Sequence, residues 1–350
     1  KQKLDQLQVD AALKQGGAQM VTPAVVPTSP VSPKPLRSAI FAGMLGLAAG
    51  VGLAFLLEFL DDSVKTKDDL QRAAPGVTVL GLVPVVTGWR SKQDAFLISV
   101  AEPNSPVAEA YRSLRTAIQF LALDHPMGTL QLTSANAREG KTTTLSNLAV
   151  ALASTGQRVL VVCCDLRRPR VHEFFGLDND IGFTSALLGK VPLAAAIQVV
   201  PDQPGLSLLA SGPLPPNPSE LLASSRTAEM LRTLQTTYDI VLIDSPPILP
   251  VTDALVLSGH VDATLLVAIT GSTTRKEATR AVELLRQVDA PLVGAVLNGV
   301  DTDGSEGYGY RYYRNEDEAA ARKGPRSIRR RDREGQRKRQ SVTSPEPATS

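Results

Sequence analysis

The fold follows from one stretch of the sequence, Ala135-Asn-Ala-Arg-Glu-Gly-Lys-Thr-Thr-Thr144. A short apolar run at 129–134 precedes it and predicts a strand, and residues 145–153 follow with apolar side chains at helical spacing. A glycine-containing loop between a strand and a helix is typical of phosphate-binding loops, because its N–H groups and the helix dipole converge on phosphate oxygens. Ala135 replaces the usual first glycine, so an ordinary strand–helix turn is the alternative.

This loop supplies the expected nucleotide contacts. Lys141 is expected to reach the β- and γ-phosphates as a point charge, and the Thr142 hydroxyl to coordinate Mg²⁺. ATP and Mg²⁺ are therefore the predicted cofactors. The predicted nucleotide-binding residues are Ala137, Arg138, Glu139, Gly140, Lys141, Thr142 and Thr143.

Two further apolar runs each end in an aspartate, Asp165 and Asp244. Continuous apolar runs predict buried parallel strands, whose carboxyl ends form the ligand-binding edge of a doubly wound sheet. Each aspartate could instead cap a turn. Carboxylates beside a phosphate loop suit Mg²⁺, which prefers oxygen ligands, so Thr142, Asp165 and Asp244 are the predicted metal ligands.

Strands and helices alternate from 106 to 300, with further strands predicted at 263–269 and 291–298. This alternation predicts an α/β domain with a doubly wound, mostly parallel sheet of P-loop NTPase type. Residues 61–105 are predicted to be a linker that contains one short strand.

A candidate transmembrane helix, at 38–60, precedes that domain. Its first twenty residues carry no charge, which matches the thickness of a bilayer's hydrocarbon core. A signal peptide is a poorer match because the stretch is too long and lacks a leading basic region, and a buried soluble helix is the other alternative. Residues 1–37 are predicted to be the end of an amphipathic helix and a proline-rich connector. The chain begins at Lys1, so we expect a fragment or a processed protein.

The carboxyl-terminal residues differ in composition from the rest of the chain. Residues 321–350 carry ten Lys/Arg against three Asp/Glu, although the whole chain has a net charge of only +2. We predict a tyrosine-rich tail at 301–316 and a basic disordered tail at 317–350. Stacking on nucleic acid is the alternative use of the tyrosines. The two cysteines, Cys163 and Cys164, are adjacent, which excludes a disulfide framework.

Residues from about 101 to 313 resemble the bacterial tyrosine kinases of capsular and exopolysaccharide biosynthesis, the polysaccharide biosynthesis tyrosine autokinases. Residues 23–57 resemble the end of the chain-length-determinant (polysaccharide co-polymerase) domain that accompanies these kinases. The motifs are Glu109-x-x-Arg112-x-x-Arg115, the loop ending Glu139-Gly-Lys-Thr142, Asp165-Leu-Arg-Arg-Pro169, Ile243-Asp-Ser-Pro-Pro247 and the tyrosine cluster.

The resemblance implies transfer of the ATP γ-phosphoryl group to tail tyrosines of neighbouring subunits, with regulation of polysaccharide polymerisation and export. It implies that Lys141, Asp165 and Asp244 are catalytic. It also implies that the kinase domain lies on the cytoplasmic side of the bacterial inner (cell) membrane and that residues 1–37 are the end of an extracytoplasmic helix and its connector. The implied partners are a ring-like homo-oligomer, the polysaccharide polymerase and export machinery and a tyrosine phosphatase, with no nucleic acid. The implied phosphorylation sites are Tyr308, Tyr310, Tyr312 and Tyr313, and the implied oligomer contacts are Glu109, Arg112 and Arg115. The spacing of those last three residues alone favours a solvated helix face with a local ion pair.

Two departures from the family pattern affect the expected activity. Cys163 replaces the first aspartate of an Asp-x-Asp motif, which would position Mg²⁺ and activate the attacking tyrosine, and Ala137-Arg138 replaces Pro-Gly. We therefore predict ATP binding with weak or absent autokinase activity. The alternatives are an ATP-binding membrane scaffold that controls polysaccharide assembly and a partition-type ATPase. The partition-type ATPase lacks support, because Asn136 stands at the position where those ATPases carry their signature lysine.

Overall fold

The computed structural model describes residues 1–14, 26, 34–86, 97–124 and 126–301. The chain divides into two compact units, Lys1–Asp61 and Asp62–Ser350. The predicted proline-rich connector lies almost entirely outside the described residues. The predicted tyrosine-rich and basic tails lie outside them too, apart from Asp301.

The first unit contains two described helices, α1 (Gln2–Lys14) and α2 (Pro35–Leu60). Helix α2 begins with a proline, whose fixed φ suits the first turn of a helix. No residue of α2 is buried, and within the described residues it is the helix that is long and apolar enough to cross a membrane. The predicted span at 38–60 falls within it.

The second unit is built on one sheet that has eight strands within the described ranges. The strands are β1 (Val79–Pro84), β2 (Thr129–Ser134), β3 (Val159–Cys163), β4 (Ile197–Val199), β5 (Leu206–Leu209), β6 (Ile240–Asp244), β7 (Ala263–Ile269) and β8 (Leu292–Val300). The helices are α3 (Lys67–Ala73), α4 (Ile98–Ala101), α5 (Pro106–Asp124), α6 (Lys141–Ala153), α7 (Val171–Phe175), α8 (Phe183–Leu187), α9 (Leu193–Ala196), α10 (Pro218–Ala223), α11 (Ser225–Thr237), α12 (Asp253–Ser258) and α13 (Arg275–Gln287).

The strand order is β1-β8-β7-β2-β6-β3-β5-β4, and every pair except β4 with β5 is parallel. Alternate residues of a strand point to opposite faces. Val161 of β3 accordingly packs in one core cluster with side chains of α5 and α6, and Val162 packs in another with side chains of α11. Helices therefore cover both faces, which confirms the predicted doubly wound, mostly parallel sheet.

Within the region predicted to be a linker, 61–105, the predicted short strand is present as β1, but the prediction is wrong for residues 67–73, which form α3. Strand β1 is an edge strand that pairs in parallel with β8, about two hundred residues later. Helix α3 packs beside it, with a capping box between Thr66 and Asp69 and an ion pair of 2.9 Å from Asp69 to Arg275. Local sequence does not reveal this pairing, because the partner strand is so distant along the chain.

The topology brings three segments to one edge of the sheet. Strands β2, β6 and β3 are neighbours and run in the same direction. The phosphate loop follows β2, Asp244 is the last residue of β6, and Asp165 follows β3 by two residues. Their carboxyl ends therefore meet, as the sequence predicts.

Candidate functional site

The site centres on Lys141, the first residue of α6. Its Nζ lies 3.1 Å from Asp165 Oδ2 and 3.4 Å from Asp244 Oδ1, and all three side chains are largely buried. Burial opposes the charged form of Lys141, but Asp244 and Asp165 outweigh this effect and raise its pKa above the usual value. The lysine is thus a fixed positive charge between two carboxylates.

Thr142 completes this cluster. Its Oγ1 donates towards Asp244, lying 3.1 Å from each carboxylate oxygen. Burial raises the pKa of Asp244 to about 6, although Lys141 and Thr142 favour its ionised form. The structure therefore brings together the three predicted metal ligands, Thr142, Asp165 and Asp244.

The donor set of this cluster fits Mg²⁺. A hydroxyl and two carboxylates are hard oxygen ligands, and Mg²⁺ in nucleotide sites takes one or two carboxylates while substrate phosphates and water complete its octahedron. No group of three or more His, Cys, Asp or Glu that could hold a metal occurs among the described residues.

Asp165 is held by the segment that follows it. Its Oδ1 accepts hydrogen bonds from the backbone N–H groups of Arg167 and Arg168, at 3.3 and 3.0 Å, which leaves Oδ2 for Lys141. The Arg167 guanidinium in turn donates to both oxygens of the fully buried Asp253, at 2.7 and 3.0 Å, and Asp253 also accepts from Ser219. Sequence reasoning missed Asp253, whose only signal is an aspartate at the start of α12.

Cys163 lies at the end of β3, directly opposite Asp244 across the strand pair. It is fully buried, and its Sγ lies 4.0 Å from the backbone oxygen of Asp165. Burial and the neighbouring carboxylates raise the pKa of the thiol, so it is neutral at physiological pH. The position that carries an aspartate in the resembled family therefore supplies no charge here.

Glu139 has a side chain directed into the protein. It is 2% exposed, and its carboxylate accepts hydrogen bonds from Asn136 N–H at 2.9 Å and from the Thr273 hydroxyl at 2.6 Å. Burial raises its pKa to about 7. The Glu139 side chain thus joins the phosphate loop to the segment before α13, and only the backbone of this residue is left to contact a nucleotide.

Within the rest of the loop, Gly140 and Arg138 both adopt left-handed φ angles, of +86° and +68°. This conformation is ordinary for glycine but strained for arginine. The side chains of Ala137 and Arg138 are exposed, and Thr143 is half-buried. The loop keeps its turn although Arg138 stands where the resembled family has glycine.

The three residues predicted as oligomer contacts do not share one environment. Glu109 and Arg112 form a half-exposed ion pair of 2.6 Å, and Arg112 also donates to the Pro103 carbonyl oxygen. Arg115 instead donates to the Ala151 carbonyl oxygen, at 3.2 Å, near the end of α6. Arg115 is therefore tied to the fold, and the predicted phosphorylation sites Tyr308, Tyr310, Tyr312 and Tyr313 lie outside the described residues.

The chain is similar to several known proteins. Residues 134–271 match the family described as AAA domain. The chain is 41% identical over 220 residues to the tyrosine-protein kinase YwqD of Bacillus subtilis, covering 63% of this chain and 92% of that protein. It is 33% identical over 314 residues to the tyrosine-protein kinase Etk of Escherichia coli K12, covering 84% of this chain and 43% of Etk. The chain thus spans most of the Bacillus protein and less than half of Etk.

The chain is also similar to two solved structures of tyrosine kinase domains. The kinase domain of the Escherichia coli tyrosine kinase Etk has a TM-score of 0.63 at 33% identity, covering 69% of this chain and 97% of that domain. The BceF tyrosine kinase domain has a TM-score of 0.62 at 35% identity, covering 68% and 99%. In both cases nearly the whole kinase domain is matched.

Proposed function

This chain belongs to the bacterial tyrosine-protein kinases, and from that premise we propose that it is an autokinase of polysaccharide assembly. It transfers the γ-phosphoryl group of ATP to Tyr308, Tyr310, Tyr312 and Tyr313 of neighbouring subunits in a ring-like homo-oligomer. This phosphorylation regulates the machinery that polymerises and exports a capsular polysaccharide or exopolysaccharide, and a tyrosine phosphatase reverses it.

The observation that supports this proposal most directly is the cluster of Lys141, Thr142, Asp165 and Asp244. Lys141 neutralises charge on the β- and γ-phosphates, and the loop N–H groups orient them. Thr142, Asp165 and Asp244 would hold Mg²⁺, which would neutralise the charge that develops on the phosphates.

A proton acceptor for the tyrosine is also present in this cluster. Asp244 contacts both Lys141 and Thr142, whereas Asp165 Oδ2 contacts Lys141, so we assign Asp165 Oδ2 as the acceptor of the phenol proton. The phenol oxygen then bonds to the γ-phosphorus, the bond from the γ-phosphorus to the bridging oxygen breaks, and ADP leaves. Because Cys163 adds neither a base nor a metal ligand, we propose that this transfer is slow.

We also propose that α2 anchors the protein in the bacterial inner (cell) membrane with the kinase unit on the cytoplasmic side. Twenty-six helical residues extend about 39 Å, more than the roughly 30 Å of a hydrocarbon core. The absence of any buried residue in this apolar helix supports insertion into lipid.

The experiment is phosphotyrosine mapping by mass spectrometry on the full chain in detergent with Mg-ATP. Lys141→Met serves as the inactive variant, and Lys190→Met, an exposed lysine between α8 and α9, as the matched control. We expect phosphate on the tail tyrosines of the wild type and the Lys190 variant and none on the Lys141 variant. ATP binding with an unmodified tail would contradict the autokinase and favour a regulatory scaffold.

A further inference from the structure

Asn298, near the end of β8, contacts the phosphate loop through its side chain. The amide Nδ2 donates to the Glu139 carbonyl oxygen at 3.0 Å, and it lies 3.0 Å from Thr144 Oγ1. The residue is 8% exposed, so these bonds do not compete with bulk water. A β-strand residue thus holds the backbone of a loop that is about 160 positions away in the sequence.

This contact determines the direction of one peptide group. The C=O and N–H of a trans peptide point in opposite directions. Since Asn298 holds the Glu139 carbonyl, the N–H of Gly140 must face away from Asn298. A Cβ on Gly140 would lie 2.5 Å from Asn298 Nδ2, so the two residues pack directly against each other.

The buried hydroxyl group of Thr144 holds the Asn298 amide in turn. Thr144, in the first turn of α6, is fully buried and lies within hydrogen-bond distance of both polar atoms of the amide. The Tyr111 side chain is 2% exposed, and its phenol lies beside the Thr144 hydroxyl. Tyr111 belongs to α5, the helix that presents the Glu109–Arg112 ion pair.

We propose that Asn298 is a positioning residue that aims the Gly140 N–H at the nucleotide phosphates, and that Thr144 and Tyr111 keep its amide oriented and connect it to α5. This inference rests on the proposed function, because it concerns the same nucleotide site.

The test compares the affinity of the full chain in detergent for Mg-ADP and for adenosine, which lacks phosphates. Asn298→Asp keeps the shape but replaces the donor with an acceptor, and we expect the dissociation constant of Mg-ADP to rise about tenfold, in line with a lost buried hydrogen bond. Adenosine affinity should not change. Tyr111→Phe should raise the Mg-ADP constant about threefold. Asn179→Asp, between α7 and α8, is the matched control, because the oxygen of that side chain accepts hydrogen bonds from Ser211 and Gly212 and an aspartate can still accept them.

Several outcomes would overturn the inference. An equal loss of adenosine and Mg-ADP affinity would assign Asn298 to base recognition or to the fold in general. If Asn298→Asp does not fold, Tyr111→Phe and Thr144→Val are tested in its place. Unchanged Mg-ADP affinity in both of these variants would contradict the inference. Phosphotyrosine on the tail is measured separately. A wild type that binds Mg-ADP but does not phosphorylate its tail would contradict the proposed function without contradicting this inference.

Discussion

The Glu139 carboxylate accepts a hydrogen bond of 2.6 Å from the Thr273 hydroxyl and ties the phosphate loop to the segment before α13. Burial outweighs this bond and raises the pKa of Glu139 to about 7, from 4.5 for the free side chain. The native state therefore binds this proton more tightly than the unfolded state does. Its contribution to stability is complete below about pH 4.5 and is lost as the pH rises through 7.

The corresponding prediction concerns Glu139→Gln, which cannot ionise. We expect the wild type to lose up to about 3 kcal/mol more of its free energy of unfolding than this variant between pH 4.5 and 8. Denaturant unfolding across that pH range measures the difference. Equal pH dependence in the two proteins would mean that Glu139 ionises normally in the native state.

A second prediction concerns the strained loop residue Arg138, whose φ is +68°. Arg138→Gly removes the clash of Cβ with the backbone, and we expect the free energy of unfolding to rise by up to about 1 kcal/mol. Arg138→Ala is the matched control, since it removes the charge and keeps Cβ. A gain of the same size in both variants would trace the effect to the charge and not to the backbone.

Some residues of this site could be predicted from the sequence, and others could not, for a physical reason. Asp165 and Asp244 were predictable because each lies at or just beyond the end of an apolar strand, and parallel strands bring their carboxyl ends to one edge of the sheet. Asn298 carries the same signal, a polar residue late in an apolar strand, but no phosphate-loop motif includes it. Its bond to the loop, like that between Glu139 and Thr273, joins residues more than 130 positions apart, and only the tertiary structure reveals it.

A third prediction separates the residues of the Glu-x-x-Arg-x-x-Arg motif. Arg112→Ala breaks a half-exposed ion pair with Glu109, which is worth at most about 1 kcal/mol, so we expect smaller oligomers with nearly unchanged thermal stability. Arg115→Ala removes the donor to the Ala151 carbonyl oxygen near the negative end of the α6 dipole. We expect it to lower the free energy of unfolding by about 1–2 kcal/mol.

Sedimentation velocity and thermal unfolding on the full chain in detergent measure the two effects. Arg275→Ala, which breaks the ion pair with Asp69 on α3, controls for removal of a surface arginine elsewhere. Oligomers that dissociate in the Arg115 variant, with unchanged unfolding, would assign that residue to the subunit interface instead.

The last prediction concerns Cys163, which faces Asp244 across strands β3 and β6. Cys163→Asp introduces a third carboxylate beside Lys141, so without Mg²⁺ we expect the free energy of unfolding to fall by about 3 kcal/mol. Mg-ATP should restore most of that loss, because the metal neutralises the added charge. The rate of tail phosphorylation should rise about 100-fold, the lower end of what a positioned general base contributes.

Cys163→Ser has similar volume and no charge, and it isolates the effect of the carboxylate. Phosphotyrosine formation and unfolding with and without Mg-ATP are measured for both variants. If the Asp variant folds and binds Mg-ATP but phosphorylates no faster than the Ser variant, Asp165 alone already supplies the base. The slow transfer would then originate in the phosphate loop, where Arg138 holds a turn that glycine would adopt without strain.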